Sequence, residues 1–179
     1  MNIRAFIACS LDGFIARQDG ALDWLDNPAF TLAGEDFGYA QFMSETSCLI
    51  LGRNTFGKVL SFAEWPYHGT RVIVLSQSLK ALPETLRGKA ELSAESPLSL
   101  TERLKNEGER SLYVDGGQLI QSFLRTGLIN ELIITRIPRL LGHGIPLFGQ
   151  LNRDIPLTLL ASKSYRNGFV QSHYRIATE

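Results

Sequence analysis

Residues 111–127, SLYVDGGQLIQSFLRTG, constrain the fold more than any other part of the chain. Leu112, Tyr113 and Val114 form a short apolar, β-prone run that reads as a buried strand. Asp115-Gly116-Gly117 interrupts the pattern. From Gln118 onward, Leu119, Ile120, Phe123 and Leu124 recur at helical spacing, and Gly127 is placed to stop the helix. The reading is strand, diglycine turn, helix. Adjacent glycines admit backbone conformations closed to other residues and let another group press against the chain. A helix N-terminus offers unpaired N–H groups and a partial positive charge, which suits a phosphate. The same turn serves equally as a βα connection that needs glycine for packing alone, so this stretch by itself leaves both readings open.

The remaining chain bounds the answer. At 179 residues there is room for one well-buried domain, and the expectation is a single domain over residues 1–179. Eighteen basic residues balance eighteen acidic ones, so no basic stripe for nucleic acid and no polybasic membrane patch is expected. No apolar run approaches the about 20 residues of a membrane span, and the N-terminus reads as a first strand, not a signal peptide. Cys9 and Cys48 both fall in predicted strands and outside any C-x-x-C pair, which points to buried free thiols in a reducing, cytoplasmic setting. His68, His143 and His173 have no ligand spacing, and no metal is expected.

Further strand-to-glycine junctions follow in order. Residues 3–9 are apolar apart from Arg4 and read as a central strand, followed by the Ser10-Leu11-Asp12-Gly13 turn and Phe14-Ile15-Ala16. Trp24 and Leu25 read as apolar anchors in the next loop. A helix is expected over residues 35–45, with Phe37, Ala40 and Met43 on one face. Asp36, near its start, is either a first-turn acid favoured by the helix dipole or a functional carboxylate. Residues 48–51 are a second buried strand running into Gly52-Arg53-Asn54-Thr55, where Arg53 and Thr55 are able to donate to an anion. A salt-bridge role for Arg53 and a capping role for Thr55 are the alternatives. A third strand, residues 71–75, ends at Ser76-Gln77-Ser78. A short strand is expected near residues 90–92, and a helix capped by Ser99 follows. Residues 131–137 form another strand, residues 139–149 an irregular loop, and residues 157–166 and 169–176 flank Asn167-Gly168 as a tight β-hairpin.

Three strand ends thus carry glycine, hydroxyl or arginine donors. As neighbours in one sheet they would form a single crevice at its carboxyl edge. No G-x-G-x-x-G in a strand–turn–helix setting and no P-loop is present, and the G-x-S-x-G and zinc-deaminase signatures are also missing.

The ordered series SLDGFIA, DFGYAQFM, LILGRNTF, VIVLSQS and LYVDGGQLIQSFL resembles the dihydrofolate reductase superfamily. The closer likeness is to its riboflavin-biosynthesis (RibD) C-terminal reductase branch, which the pieces NELIITRIPRLLGHGIPLFG and SKSYRNGFVQSHYRI also resemble. The resemblance implies an α/β fold with a dihydrofolate reductase-like mixed β-sheet flanked by helices, ending in the C-terminal antiparallel hairpin. It implies NADPH across the strand ends. Gly52, Arg53 and Thr55 would meet its phosphates, and Ser76, Gln77 and Ser78 its adenosine end. Gly116 and Gly117, often joined by a cis peptide in such proteins, would lie against the cofactor. Gln118 and Leu119 would offer N–H groups, and Ala8, Ile15 and Ala16 would line the nicotinamide.

By the same likeness Asp36 is the catalytic and substrate-binding carboxylate, while Asp12 and Trp24 are further substrate contacts. The arginine that holds a folate tail has no counterpart: Thr70 stands there and Arg71 falls one residue late, which in a strand reverses the face. The expectation is a homodimeric reductase of a small pterin-, pyrimidine- or aminouracil-like molecule. A true dihydrofolate reductase and a nucleotide-binding module without catalysis are the alternatives.

Overall fold

Strand β1, Asn2–Ser10, is hydrogen-bonded on both sides and carries the centre of the sheet. Its apolar run follows from that position, since a strand with neighbours on each edge and layers on each face has little surface left for water. The computed structural model describes residues 1–177; positions 178 and 179 of the expected domain lie outside them.

After β1 the chain makes a short strand β2, Phe14–Ala16, and the helix α1, Tyr39–Ser44. Then come β3, Cys48–Gly52; α2, Arg53–Val59; β4, Arg71–Leu75; β5, Glu91–Ser93; and α3, Pro97–Asn106. Strand β6, Ser111–Asp115, leads through Gly116 into α4, Gly117–Arg125. Strands β7, Glu131–Ile137; β8, Ile145–Pro146; β9, Leu157–Ser164; and β10, Val170–Ile176 complete the chain.

Eight strands form one sheet in the order β5-β4-β3-β6-β1-β7-β10-β9, and β2 pairs separately with β8. The pairs from β5 to β7 are parallel, whereas β10 runs antiparallel to β7 and to β9, so the sheet is mixed as expected. Each face has its own core. Ile50, Ile73, Leu112 and Val114 pack beneath Leu100 and Leu104 of α3 and Ile120 and Phe123 of α4. On the other face Leu49, Leu51, Val72 and Tyr113 meet Phe42 of α1 and Phe56 of α2. The one-residue alternation along each strand splits the apolar run between these cores.

Several local expectations shift. Helix α1 begins at Tyr39, not at residue 35, because Gly38 takes φ 82° and Phe37 φ 58°, left-handed values that a helix cannot contain. Phe37 accordingly leaves the helix face and packs against Tyr165 and Phe169. The cap of α3 is Ser96 and not Ser99: the Ser99 N–H donates to the Ser96 hydroxyl over 3.2 Å, with Pro97 in the first turn. The loop over residues 139–149 includes β8. The hairpin turn is wider than two residues, closed by the Tyr165 N–H to the Phe169 carbonyl at 2.8 Å, with Gly168 at φ 84°.

Candidate functional site

Strand β3 passes the chain outward to β4, whereas its neighbour β6 passes it through α4 the other way, past β1 to β7. Between β3 and β6 the connections diverge, leaving a gap at their carboxyl ends where an α/β sheet has room for a ligand. An open crevice of about 1520 Å³ lies there. That exceeds the roughly 300–1000 Å³ of a site for one small ligand, and is large enough for a dinucleotide with a second small molecule beside it.

One end of the crevice is built from β3 and β4, paired in register up to Gly52 and Leu75. Arg53 Nη1 donates to Ser78 Oγ over 2.9 Å, tying the two strand ends together. Ser76 Oγ accepts from the Ser78 and Leu79 N–H groups at 3.3 and 3.1 Å, a hydroxyl turn that orders the loop. Helix α2 starts at Arg53 without a side-chain cap, so neither Thr55 nor any other side chain satisfies its first N–H groups. Gly52, Arg53, Thr55, Ser76, Gln77 and Ser78 all line this end.

Gly116 and Gly117 form the floor. Gly116 takes φ 116°, which side chains rarely adopt, and a Cβ there would stand 2.6 Å from Thr55 Oγ1. A Cβ on Gly117 would run into Cδ1 of Ile15. Packing alone therefore requires the first glycine, whether or not a ligand rests on it. The bond between them is trans, contrary to the cis form that the resemblance implied, since no cis peptide occurs among the described residues. Helix α4 also begins without a side-chain cap, leaving its first N–H groups to the crevice that Gly117, Gln118 and Leu119 line.

Asp115 lies beside the Gly52 junction, as the register partner of Leu51 on β3. It is half-buried, lines the crevice, and sits two residues beyond Tyr113 on the same face of β6. Burial pushes its carboxyl up to about 6, against the opposing pull of the Gly116 N–H and the nearby Tyr113 hydroxyl. Its negative charge in turn adds to the desolvation that raises the Tyr39 phenol to about 12 and the Tyr67 phenol still higher. A carboxyl of this kind exchanges a proton near neutral pH and is a candidate acid on physical grounds.

The fold is shared with known proteins. The profile of the RibD C-terminal domain matches residues 2–171. The chain belongs to the RibD C-terminal domain family. Within the range of that family it is 36% identical to the uncharacterized protein YwjB of Bacillus subtilis (strain 168), over 94% of each chain. It is 38% identical to a Shewanella sp. PV-4 protein provisionally assigned to riboflavin biosynthesis, whose crystal structure superposes with a TM-score of 0.92 over 99% of this chain and 100% of that one. A Thermotoga maritima diaminohydroxyphosphoribosylaminopyrimidine deaminase/5-amino-6-(5-phosphoribosylamino)uracil reductase shares the fold at TM-score 0.74 and 14% identity, over 98% of this chain and 56% of that one.

In this RibD C-terminal chain the crevice gathers most residues expected at a cofactor, including Ile15 and Ala16. Ala8 is not among them. Strand alternation turns it to the cluster around Trp24, Ile137 and Phe169, and Ile7 lines the crevice instead. The three expected substrate contacts all lie elsewhere. Trp24 is fully buried in that same cluster. Asp12 accepts from Ser10 Oγ and from the Leu141 and Gly142 N–H groups, which staples residues 139–142 and holds its carboxyl down at about 2. Asp36 is exposed and accepts from the Gly38 and Ala40 N–H groups at 2.9 and 2.8 Å, bonds that lower its pKa. The first-turn reading of Asp36 therefore replaces the catalytic one: a carboxylate occupied by the start of α1 and open to water is a poor proton donor near neutral pH. Asp115, Tyr39, Tyr67 and Lys58 were not singled out by the sequence. The signal for Asp115 was present in the two-residue step from buried Tyr113, overshadowed by the glycines that follow.

Proposed function

We propose that this chain is an NADPH-dependent reductase, acting as one catalytic domain, that delivers hydride to a C=N or C=O bond of a pterin-, pyrimidine- or aminouracil-like molecule. The observation that carries the reading is the pairing, in one crevice, of the Arg53–Ser78 anchor with a half-buried carboxyl, Asp115, whose pKa is pushed up to about 6. Membership of the RibD C-terminal family supports a pyrimidine-reductase-like activity.

The residues fit a dinucleotide. The guanidinium of Arg53, the hydroxyls of Thr55, Ser76 and Ser78 and the uncapped starts of α2 and α4 supply donors for its phosphates, with Gln77 and Gln118 beside them. Ile15, Ala16 and Ile7 offer an apolar wall for the nicotinamide. Bound there, NADPH supplies the hydride. Asp115 accepts N–H groups of the ring when ionised and hands a proton to the ring heteroatom when protonated, so the charge developed by hydride arrival is neutralised at that atom. The crevice walls would hold a substrate ring beside the bound cofactor.

A true dihydrofolate reductase is less well supported. Arg71 ion-pairs with Glu91, Glu107 and Glu109 at 3.0, 2.7 and 3.1 Å, outside the crevice, so it is not free to hold a glutamate tail. The exposed Asp36 favours a binding module without chemistry, against which Asp115 offers an acid in the crevice.

We also propose a cytoplasmic homodimer. The buried free thiols Cys9 and Cys48 support the compartment, and the exposed Leu157, Leu159 and Leu160 of edge strand β9 support self-association. Among the described residues no helix is long and apolar enough to cross a membrane. A light-scattering mass of one chain would remove the dimer.

Titration of the protein with NADPH and NADH, followed by fluorescence, tests the central reading. Tighter binding of NADPH is expected. Binding of neither nucleotide sinks it.

A further inference from the structure

Beside the groups that would meet a dinucleotide stands an acid. Strands β3, β4 and β5 end in line, with Gly52 paired to Leu75 and Leu75 to Ser93. One residue on, the Ser76 N–H donates to the Ser93 carbonyl over 2.9 Å, which ties the Ser76–Ser78 turn to the segment carrying Glu95. Arg53, Ser76, Ser78 and Glu95 all line the crevice.

Glu95 is half-buried and firmly held. Its Oε2 accepts from Nε and Nη2 of Arg103, each at 2.9 Å, and from Ser93 Oγ at 2.8 Å. The Arg103 and Ser93 bonds keep its carboxyl below the usual range, so it is ionised at neutral pH. All three bonds fall on Oε2, and Oε1 has no donor among the described residues.

Arg103 is shared. The same guanidinium meets Glu91 at 2.7 Å and Glu107 at 3.1 Å, while Arg71 meets Glu91, Glu107 and Glu109. Two arginines thus face four glutamates, and Glu95 is the member of this network that lines the crevice. Its charge is only partly offset. A carboxylate beside an adenosine ribose accepts from a 2′-hydroxyl and opposes a 2′-phosphate, whereas an arginine does the reverse. This crevice carries one of each.

We propose that Glu95 determines nucleotide selectivity: its free Oε1 accepts a ribose hydroxyl, its charge opposes the 2′-phosphate that Arg53 attracts, and Arg103 is the positioning residue that sets how much of that charge is felt. This rests on the reductase reading and deepens it by naming what limits the preference for NADPH.

The test is a fluorescence titration of the parent, Glu95→Gln, Arg103→Ala and Arg103→Lys with NADPH and with NADH, each protein first checked for folding by its thermal transition. Glu95→Gln is expected to tighten NADPH by about three- to tenfold, the scale of one partly screened unit charge, and to leave NADH unchanged or weaker. That gain should shrink in about 1 M salt. Arg103→Ala exposes the Glu95 charge and is expected to weaken NADPH by a similar factor with NADH little changed, and Arg103→Lys to return close to the parent. A purely structural role would move both nucleotides alike. A Glu95→Gln protein whose ratio of NADPH to NADH affinity stays within about twofold of the parent's overturns the proposal, and binding by the parent then leaves the reductase reading standing. Should Arg103→Ala fail to fold, Glu95→Gln decides alone. A parent that binds neither nucleotide removes both.

Discussion

Arg53 Nη1 lies 2.9 Å from Ser78 Oγ and bridges the carboxyl ends of two adjacent parallel strands, β3 and β4. A guanidinium held across a strand gap is poised to meet a phosphate between them, and charge-assisted bonds of this kind are strong. Arg53→Ala is expected to weaken NADPH by roughly 10- to 100-fold, about 1.4–2.8 kcal/mol, with NADH little changed. Equal losses for both nucleotides in a fluorescence titration would place Arg53 away from the 2′-phosphate.

Asp115 makes a pH prediction with a definite sign. Its carboxyl is raised to about 6 in the folded chain, against about 3.9 in an unfolded one. A raised acid favours the folded state only while protonated. Its contribution is intact below about pH 4 and declines as pH rises through 6. Asp115→Asn should therefore match the parent at pH 4 and exceed it by about 2 kcal/mol at pH 8, measured by urea unfolding. The same carboxyl predicts hydride transfer that slows above about pH 6 in single-turnover kinetics, and loss of that dependence in the variant. A parent profile flat from pH 5 to 8 would remove Asp115 as the proton source.

The two floor glycines should not respond alike. Gly116 combines φ 116° with a Cβ position 2.6 Å from Thr55 Oγ1, so Gly116→Ala carries backbone strain as well as a clash. Its expected cost is about 2 kcal/mol, a fall in Tm of roughly 4–8 °C. Gly117 has no left-handed backbone, and an added methyl meets only the movable tip of Ile15, so Gly117→Ala should cost less than about 1 kcal/mol. Calorimetry on the pair decides; the reverse order would show that Thr55 yields more readily than Ile15.

Asp12 is expected to act on a loop and not on a substrate. Its carboxylate accepts from the Leu141 and Gly142 N–H groups, and a lowered acid stabilises only while ionised. Hydrogen exchange at those two amides should accelerate in Asp12→Ala, and in the parent as pH falls from about 4 toward 2. Unchanged protection in the variant would show that the loop is held by other contacts.

The sequence by itself determined the elements and their edges of chemistry. Apolar runs such as those of β1, β3 and β6 have only one stable use, as strands covered on both faces, and glycine or hydroxyl residues beyond them mark where the chain turns away from the sheet. That was enough to foresee one crevice at three strand ends, because β4, β3 and β6 do lie side by side. Tertiary structure alone decided which of three similar aspartates joins Asp19 and Glu95 in lining it. Asp12, Asp36 and Asp115 all follow or precede a turn and look alike in one dimension. Left-handed Phe37 and Gly38 shortened α1 and left Asp36 in water binding backbone N–H groups, while the loop over residues 139–142 took Asp12. Of the three, Asp115 alone lines the crevice, close enough for its charge to act on the phenols of Tyr39, Tyr67 and Tyr113 from distant parts of the chain. The pKa of a carboxyl is set by what surrounds it in space, and those neighbours are not its neighbours in sequence.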